Sequence, residues 1–360
     1  MDFYIILWSI VAVCSFFDLT TMKRKKFFII VISCFCTILG SIRNKVGTDW
    51  NLYYYFFVNA YTYDDFFGDV YNFELGYKLL NFVVKFFSNE YVVFLLVFTG
   101  IICFLKAKLI IKITDIPLII FLLNFSYYIG DIFSVRQSLA IAIVVYSIIY
   151  INNKNLFKFI ITIIIASFFH RTAIIFLPAY WIYYRKFSIK FLIISIVTSL
   201  IIGASGIIEH IAMSFSGVDI TLVEKMIMYT EGKDVTYENI GIVGVILPVL
   251  KKMVYTLLFI LLMNKLSKKY SYYKGMFNIF FISNIIYCLF IFSIPEVAQR
   301  ITVYYNFFEV FLIGMTINIF KNIKLKLLIW ILILIYSFVY YCYAINRFYD
   351  LYIPYRSILG

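Results

Sequence analysis

Charge is what this chain has least of. Only 14% of its 360 residues are Asp, Glu, Lys or Arg, against about 25% in ordinary soluble domains, and that excludes an ordinary soluble fold. Other absences narrow the class. The first apolar run, residues 3–17, has neither a basic leader nor a small-residue cleavage site, so it is expected to persist as a first helix. The six cysteines (Cys14, Cys34, Cys36, Cys103, Cys288, Cys342) mostly lie inside apolar runs, without disulfide or metal spacing. No repeat of fixed period and no low-complexity linker divides the chain, which reads as a single integral membrane domain over 1–360. What is abundant is apolar surface: 64% hydrophobic residues and a mean hydropathy of +0.94. These features predict an all-α polytopic membrane protein. The net charge of +13 then reports lysine-rich loops at a membrane surface and argues against a nucleic-acid partner. The excess of Ile, Phe, Tyr, Lys and Asn suits an AT-rich bacterial genome.

About twelve apolar segments can be drawn, with ten to thirteen the workable range at roughly 20 residues per straight span. They cover 3–19, 27–42, 91–105, 116–130, 133–151, 156–170, 172–184, 190–208, 241–263, 276–294, 299–320 and 325–345. Several are short, and 156–184 reads equally as a re-entrant hairpin. Every second connection is basic: Lys23 to Lys26, then Lys106/Lys108/Lys112, Lys154/Lys158, Arg185/Lys186/Lys190, Lys265 to Lys274, and Lys321/Lys324/Lys326. The positive-inside rule places those connections in the cytoplasm and both chain ends outside. Two long segments, 43–90 and 209–240, then face outward and hold most of the carboxylates. Residues 75–87 carry apolar side chains at helical spacing, interrupted by Lys78 and Lys85, as in a helix lying in the outer interface. Lys251-Lys252 falls in the ninth segment. A buried lysine pair is costly, so 241–250 is expected as an outer-leaflet piece that leaves the lysines near the outer surface.

Arginine behaves differently from lysine. Of eight arginines, six (Arg43, Arg136, Arg171, Arg300, Arg347 and Arg356) fall on the outer side, against the charge rule. A planar guanidinium binds phosphate or carboxylate bidentately and stays charged in apolar surroundings, which suggests an anionic ligand. Each position also has a plainer reading. Arg136 could snorkel and pair with Asp131, and Arg300 after Gln299 could anchor an interfacial helix. Glu309, nine residues on, could be a supporting partner or a structural carboxylate. His170 before Arg171 could be a helix cap or a general base near neutral pH. Thr48-Asp49 could cap a helix that starts at Trp50, with Gly47 as the turn residue, or supply a catalytic carboxylate. Glu74 could be no more than the acidic start of a helix.

Taken in order, these stretches form a pattern. Arg43-x-x-x-Gly47-Thr48-Asp49-x-x-x-Tyr53, Phe73-Glu74-Leu75-Gly76-Tyr77, Val135-Arg136-Gln137, Phe169-His170 and Gln299-Arg300, with Pro354-Tyr355 near the end, resemble the EpsG family. These are multi-helix bacterial membrane proteins of exopolysaccharide and capsule synthesis, regarded as Wzy-like repeat-unit polymerases. The resemblance covers nearly the whole chain; Leu75 stands where the family often shows Pro. It implies a substrate of polyprenyl-pyrophosphate-linked oligosaccharide at the outer face of the cytoplasmic membrane, with a flippase and a chain-length regulator as companions. Transfer of the glycan from its lipid pyrophosphate to a hydroxyl needs cations for the leaving group and a base for the nucleophile. The expected pyrophosphate ligands are Arg136 and Arg300, assisted by Arg43. Asp49, Glu74 and His170 are the candidate catalytic groups, and Trp50, Tyr53, Gln137, Arg171 and Gln299 would contact sugar. No metal and no cofactor is expected.

Rival readings separate by pattern. A lipid-linked oligosaccharide flippase would favour charges along a central path and a two-fold repeat, whereas here ionisable residues crowd one face. An acyltransferase would need a buried His motif, and a metal-dependent glycosyltransferase an acidic pair. Asp64-Asp65 is the one adjacent pair of carboxylates, and loop solvation explains it. A ligase acting on finished glycan shares the polymerase chemistry.

Overall fold

The computed structural model describes residues 1–20, 24–68, 70–133, 136–214 and 242–359. Among these the secondary structure is helical, apart from an isolated antiparallel bridge between Arg43 and Ser357. Among the described residues six helices are long and apolar enough to cross a membrane: Asp2–Leu19, Lys25–Ile42, Tyr91–Ile113, Gly244–Lys269, Tyr273–Phe290 and Ile323–Asn346. Shorter apolar helices accompany them. The expected outer segment 209–240 lies outside the described residues from 215 onward. The chain forms two compact units, Met1–Leu177 with Ile313–Gly360, and Pro178–Leu312.

In the first unit, α1 (Asp2–Ser15) and α2 (Lys25–Ile42) precede three shorter helices: α3 (Trp50–Asn59), α4 (Tyr63–Phe67) and α5 (Leu75–Phe87). Then come α6 (Tyr91–Ile113), α7 (Pro117–Tyr127), α8 (Arg136–Tyr146) and α9 (Leu156–Ser167). Every residue of α7 is buried, as expected of a helix apolar all round. Its start is set by Pro117 at the first helical position and by Asp18, whose Oδ2 accepts from the Ile119 amide at 2.8 Å. Yet α7 has only 11 residues, roughly 16 Å of helix, about half of a ~30 Å hydrocarbon core. The helix breaks beyond Tyr127, a single short turn of helix covers Gly130–Phe133, and helix is described again from Arg136. Non-helical backbone at that depth survives only where protein satisfies it.

Three contacts do so. Asp131 pairs with Lys106 of α6. The Ile132 carbonyl accepts from Arg43 Nη1 at 2.5 Å. Phe133 lies against Gly47, where any β-carbon would run into the Phe133 carbonyl, and Gly47 has φ +106°. The two chain ends lock the same point. The Asn44 amide donates to the Arg356 carbonyl, the Gly47 amide to that of Leu351 and the Ile358 amide to that of Ile42. Tyr4 donates its hydroxyl to the Tyr352 carbonyl at 2.6 Å, and Phe3 stacks on Tyr355.

The sequence expectation for Lys106 is thereby corrected. It sits inside the 23-residue α6, 3% exposed, not in a loop, because a buried carboxylate at the break holds it.

The amphipathic helix expected at 75–87 is α5, with Lys78 and Lys85 turned inward. Lys78 donates to the Gly68 carbonyl at 2.9 Å, and Lys85 to the carbonyls of Phe57 and Val58. The exposed side is apolar instead: Leu75, Leu79, Val83, Phe86 and Phe87. Such a face suits hydrocarbon, while the charged ends terminate the carbonyls of α3 and the 68 turn. Beneath, Phe56, Phe57, Tyr77, Tyr91, Phe94 and Phe98 form an aromatic core, several of them edge to face, the arrangement that ring quadrupoles favour.

The second unit contains α10 (Ile189–Ala204), α11 (Ile242–Lys269), α12 (Tyr273–Phe290) and α13 (Pro295–Asn306). Asn278 of α12 donates to the carbonyls of Ile182, Tyr183 and Arg185, closing a helix end that would otherwise bury them unpaired. Gly275 lies directly under the Tyr183 ring. The separate outer piece expected at 241–250 is not seen. Residues from Ile242 belong to one 28-residue helix that runs through Pro248. Lys251 and Lys252 are held inside it, Lys251 by Glu309 at 2.9 Å and Lys252 by the side-chain oxygens of Asn306 and Asn284.

Candidate functional site

The first unit brings several of the expected residues to one place, the start of α5. Glu74 is the residue before that helix, but its carboxylate makes no cap bond. It accepts from Arg136 Nη1 at 2.5 Å. The same guanidinium donates through Nε to the Tyr53 hydroxyl at 3.1 Å. It also lies 4.7 Å from the centre of the Phe73 ring. One arginine is thus fixed by a carboxylate, a phenol and a ring face, the phenol from α3 and the other two from the adjacent residues that lead into α5. With Nη1 and Nε engaged, the outer edge of the fork remains for a ligand. The pair is half-buried, with the Arg136 side chain 22% and that of Glu74 12% exposed. The expected pairing of Arg136 with Asp131 is corrected here: Asp131 belongs to Lys106.

Asp49 acts electrostatically on the same phenol. It precedes α3 in a left-handed conformation, φ +57°, and its side chain makes no cap bond. Capping, the plainer reading of Thr48-Asp49, is therefore not what this carboxylate does. Asp49 is exposed. Burial pushes the Tyr53 hydroxyl above its ordinary range, Arg136 pulls it back, and Asp49 and Glu74 both push it up. Both carboxylates therefore act on the hydroxyl that touches Arg136.

His170 reaches this neighbourhood through the backbone. The Gly76 amide donates to the Phe168 carbonyl at 2.7 Å, and a β-carbon at Gly76 would lie 2.7 Å from that oxygen. This close approach docks the first turn of α5 on the turn that carries His170. The imidazole Nδ1 shares a hydrogen bond with the Thr172 hydroxyl at 2.6 Å. Arg171 donates to Asn72 Oδ1 at 3.4 Å. Sequence reasoning does not single out Phe73 and Asn72 as site residues. Phe73 enters only as part of the family pattern, and the one signal for Asn72 is its position just ahead of that stretch.

Other expected residues lie elsewhere. Arg43 is 2% exposed and spends its one described bond on Ile132, with Nε buried and unpaired. Trp50 is covered by Tyr54 at 4.7 Å and by Tyr91, so its ring faces the core. The exposed rings of the same segment are Tyr55, Tyr61 and Tyr63. Gln137 is half-buried beside Arg136 on α8. Gln299 and Arg300 belong to the second unit, half-buried and exposed respectively, in the second turn of α13.

Long apolar helices around charged side chains held within the protein define a multi-pass membrane protein. The chain belongs to the EpsG family, whose model matches residues 2–357. Neither the curated proteins nor the solved structures contain a match to it.

Proposed function

We propose that this protein polymerises lipid-pyrophosphate-linked oligosaccharide repeat units at the outer face of the bacterial cytoplasmic membrane. The observation that carries this is the Glu74–Arg136–Tyr53 cluster, a cation and a carboxylate held together beside a break in the membrane helices. In this reading the chain is one integral domain with about twelve crossings, some short, at ~1.5 Å per helical residue. Segments 43–90 and 209–240 face outward.

The acceptor hydroxyl oxygen forms the new bond to the anomeric carbon of the donor sugar. The bond from that carbon to the pyrophosphate oxygen breaks, and its electron pair leaves with the polyprenyl pyrophosphate. The hydroxyl proton passes to a base. Asp49 is our first choice for that base, being exposed and not engaged as a cap. Glu74 orients Arg136 and the sugar, and His170 is the alternate proton acceptor at neutral pH. Arg136 and Arg300 bind pyrophosphate. Their charge is most valuable as the leaving oxygen becomes anionic. Arg43 supports Arg136 from below by holding the break. Gln137, Arg171 and Gln299 contact sugar, and the exposed Tyr55, Tyr61 and Tyr63 offer ring faces for it.

The test is polymer length and lipid-linked intermediate in a deletion strain complemented with wild type or Arg136→Gln. Accumulation of single lipid-linked repeats on the outer face supports polymerisation. Accumulation on the inner face would instead identify a flippase and end this reading. Normal polymer from Arg136→Gln would remove that arginine from the site.

A further inference from the structure

The second unit carries a cleft that the reaction above does not use. It has a volume of about 240 Å³ and is lined by Tyr180, Trp181, Tyr184 and Arg185. That is less than the ~300–1,000 Å³ of sites that enclose a drug-sized molecule, so the cleft suits a small group. It is open, since Trp181, Tyr184 and Arg185 are all exposed. The backbone beneath it is fixed. Asn278, buried on α12, holds the carbonyls of Ile182, Tyr183 and Arg185, and the Tyr183 ring covers Gly275, where no β-carbon fits. The turn is thus held in place by packing and needs no ordering when a ligand arrives.

The charge around the cleft has one sign. Residues 178–208 and 242–295 contain no Asp or Glu. Arg185, Lys186, Lys190 and Lys274 are exposed, and none of them makes an ion pair among the described residues. Lys190 and Lys274 are each the second residue of a helix, α10 and α12, where the helix dipole disfavours a cation and favours an anion. Lys274 adjoins Gly275, under the Tyr183 ring. A lysine meets the positive-inside rule as well as an arginine does, yet Arg185 is one of only two arginines, with Arg24, in the basic connections. What a guanidinium adds is a fork that fits phosphate and a plane that packs on aromatic rings.

The helix that follows says which anion. Four residues past Arg185, α10 begins, and its exposed side is apolar: Ile189, Ile193, Ile194, Val197 and Ile201. This stripe runs roughly 18 Å, enough to cover the ~15 Å of one leaflet in a ~30 Å core. A cationic cleft with an apolar stripe leading away from it matches an amphiphile better than a soluble anion. We infer that the Tyr180–Arg185 cleft binds the headgroup of an anionic phospholipid, with Arg185 on the phosphate, Trp181 and Tyr184 beside the glycerol, and the acyl chains along α10. Tryptophan and tyrosine suit that depth, because their amphipathic rings settle at headgroup level. The site draws on neither the polymer chemistry nor Arg136.

The experiment is native mass spectrometry of the purified full chain, released from phosphatidylcholine nanodiscs doped with phosphatidylglycerol. Wild type is expected to retain phosphatidylglycerol in preference to phosphatidylcholine. Arg185→Gln is expected to lower that preference on the order of 10-fold or more, the scale for hydrogen bonds to a charged group. Arg185→Lys should recover part of it, and Trp181→Ala should lower it several-fold with no change of charge. Lys186→Gln is the control, an adjacent cation that does not line the cleft. Its loss should not exceed the ~5-fold expected of any basic residue near an anionic surface. Equal losses in Arg185→Gln and Lys186→Gln would overturn the site and leave only diffuse attraction to the membrane. Wild-type preference in Trp181→Ala would overturn it too, and if one of these two variants does not fold, the other decides. Displacement of the lipid by equimolar glycerol 1-phosphate would assign the cleft to a soluble phosphate ester and end the lipid reading; retention of the lipid is expected.

Discussion

Arg43 and Arg136 invite comparison. Each stands at a break between apolar helices, and each is an outward arginine by the charge rule. The tertiary structure gives them opposite environments. Around Arg43 the chain is closed: the two chain ends, the 42–47 turn and the 132–133 turn interlock, and the guanidinium serves a backbone carbonyl. Around Arg136 it is half open, and the guanidinium meets a carboxylate and a phenol from the segment between α2 and α6. The first arrangement spends an arginine on structure so that the second can be held in place. A buried polar group that satisfies a break is worth as much to the site as a residue that touches substrate.

The comparison can be broken in four places. The largest effect is expected at Arg136→Gln, with polymer formation down on the order of 100-fold or more, the scale for losing a preorganised charge stabiliser. Folded yield should stay near wild type, and Arg136→Lys should recover only part of the activity because a lysine cannot fork. Parallel loss of yield and activity would move Arg136 to the structural side. Next is Gly47→Ala, where a left-handed turn and the Phe133 carbonyl both oppose a β-carbon. Backbone strain alone costs about 1–3 kcal/mol, so the thermal midpoint and the membrane yield should both fall. An unchanged midpoint would mean that the 42–49 turn is not locked.

Arg43→Ala strands the Ile132 carbonyl, at about 1–3 kcal/mol for a buried group left unpaired. Activity should fall only as far as the folded fraction does, and Arg43→Lys should restore both. A Lys variant that is stable yet inactive would instead place Arg43 at the substrate. Smallest is Tyr53→Phe, which removes one bond to Arg136. A net loss of about 0.5–1.5 kcal/mol corresponds to a roughly 2- to 12-fold drop in activity. Stability should hardly change; a collapse of yield would assign the hydroxyl to the core.

Much of this was legible beforehand, and for definite reasons. Apolar runs and low charge require helices, because backbone polar groups in hydrocarbon must bond within their own segment. The 75–87 helix followed from its period. Arg136 stood out because charge beside an apolar run is costly, and Glu74, Tyr53 and Asp49 because they belong to the family pattern. Their grouping was not legible, since Glu74 and Arg136 are 62 positions apart. Asp131, only five residues from Arg136, was the natural local partner and the wrong one. Lys106 looked like part of a basic loop because neighbouring Lys108 and Lys112 share its charge. Only its burial against Asp131 separates it from them.

The sequence by itself determined the membrane class, the family pattern and the set of polar residues worth asking about. All of these rest on composition and local order. The tertiary structure decided which residues act together: Arg136 with Glu74 and Tyr53, Arg43 with Ile132, Lys251 with Glu309. The physical reason is that in a membrane interior a charge must find its counterpart wherever the fold brings one, and proximity along the chain has little say in the choice.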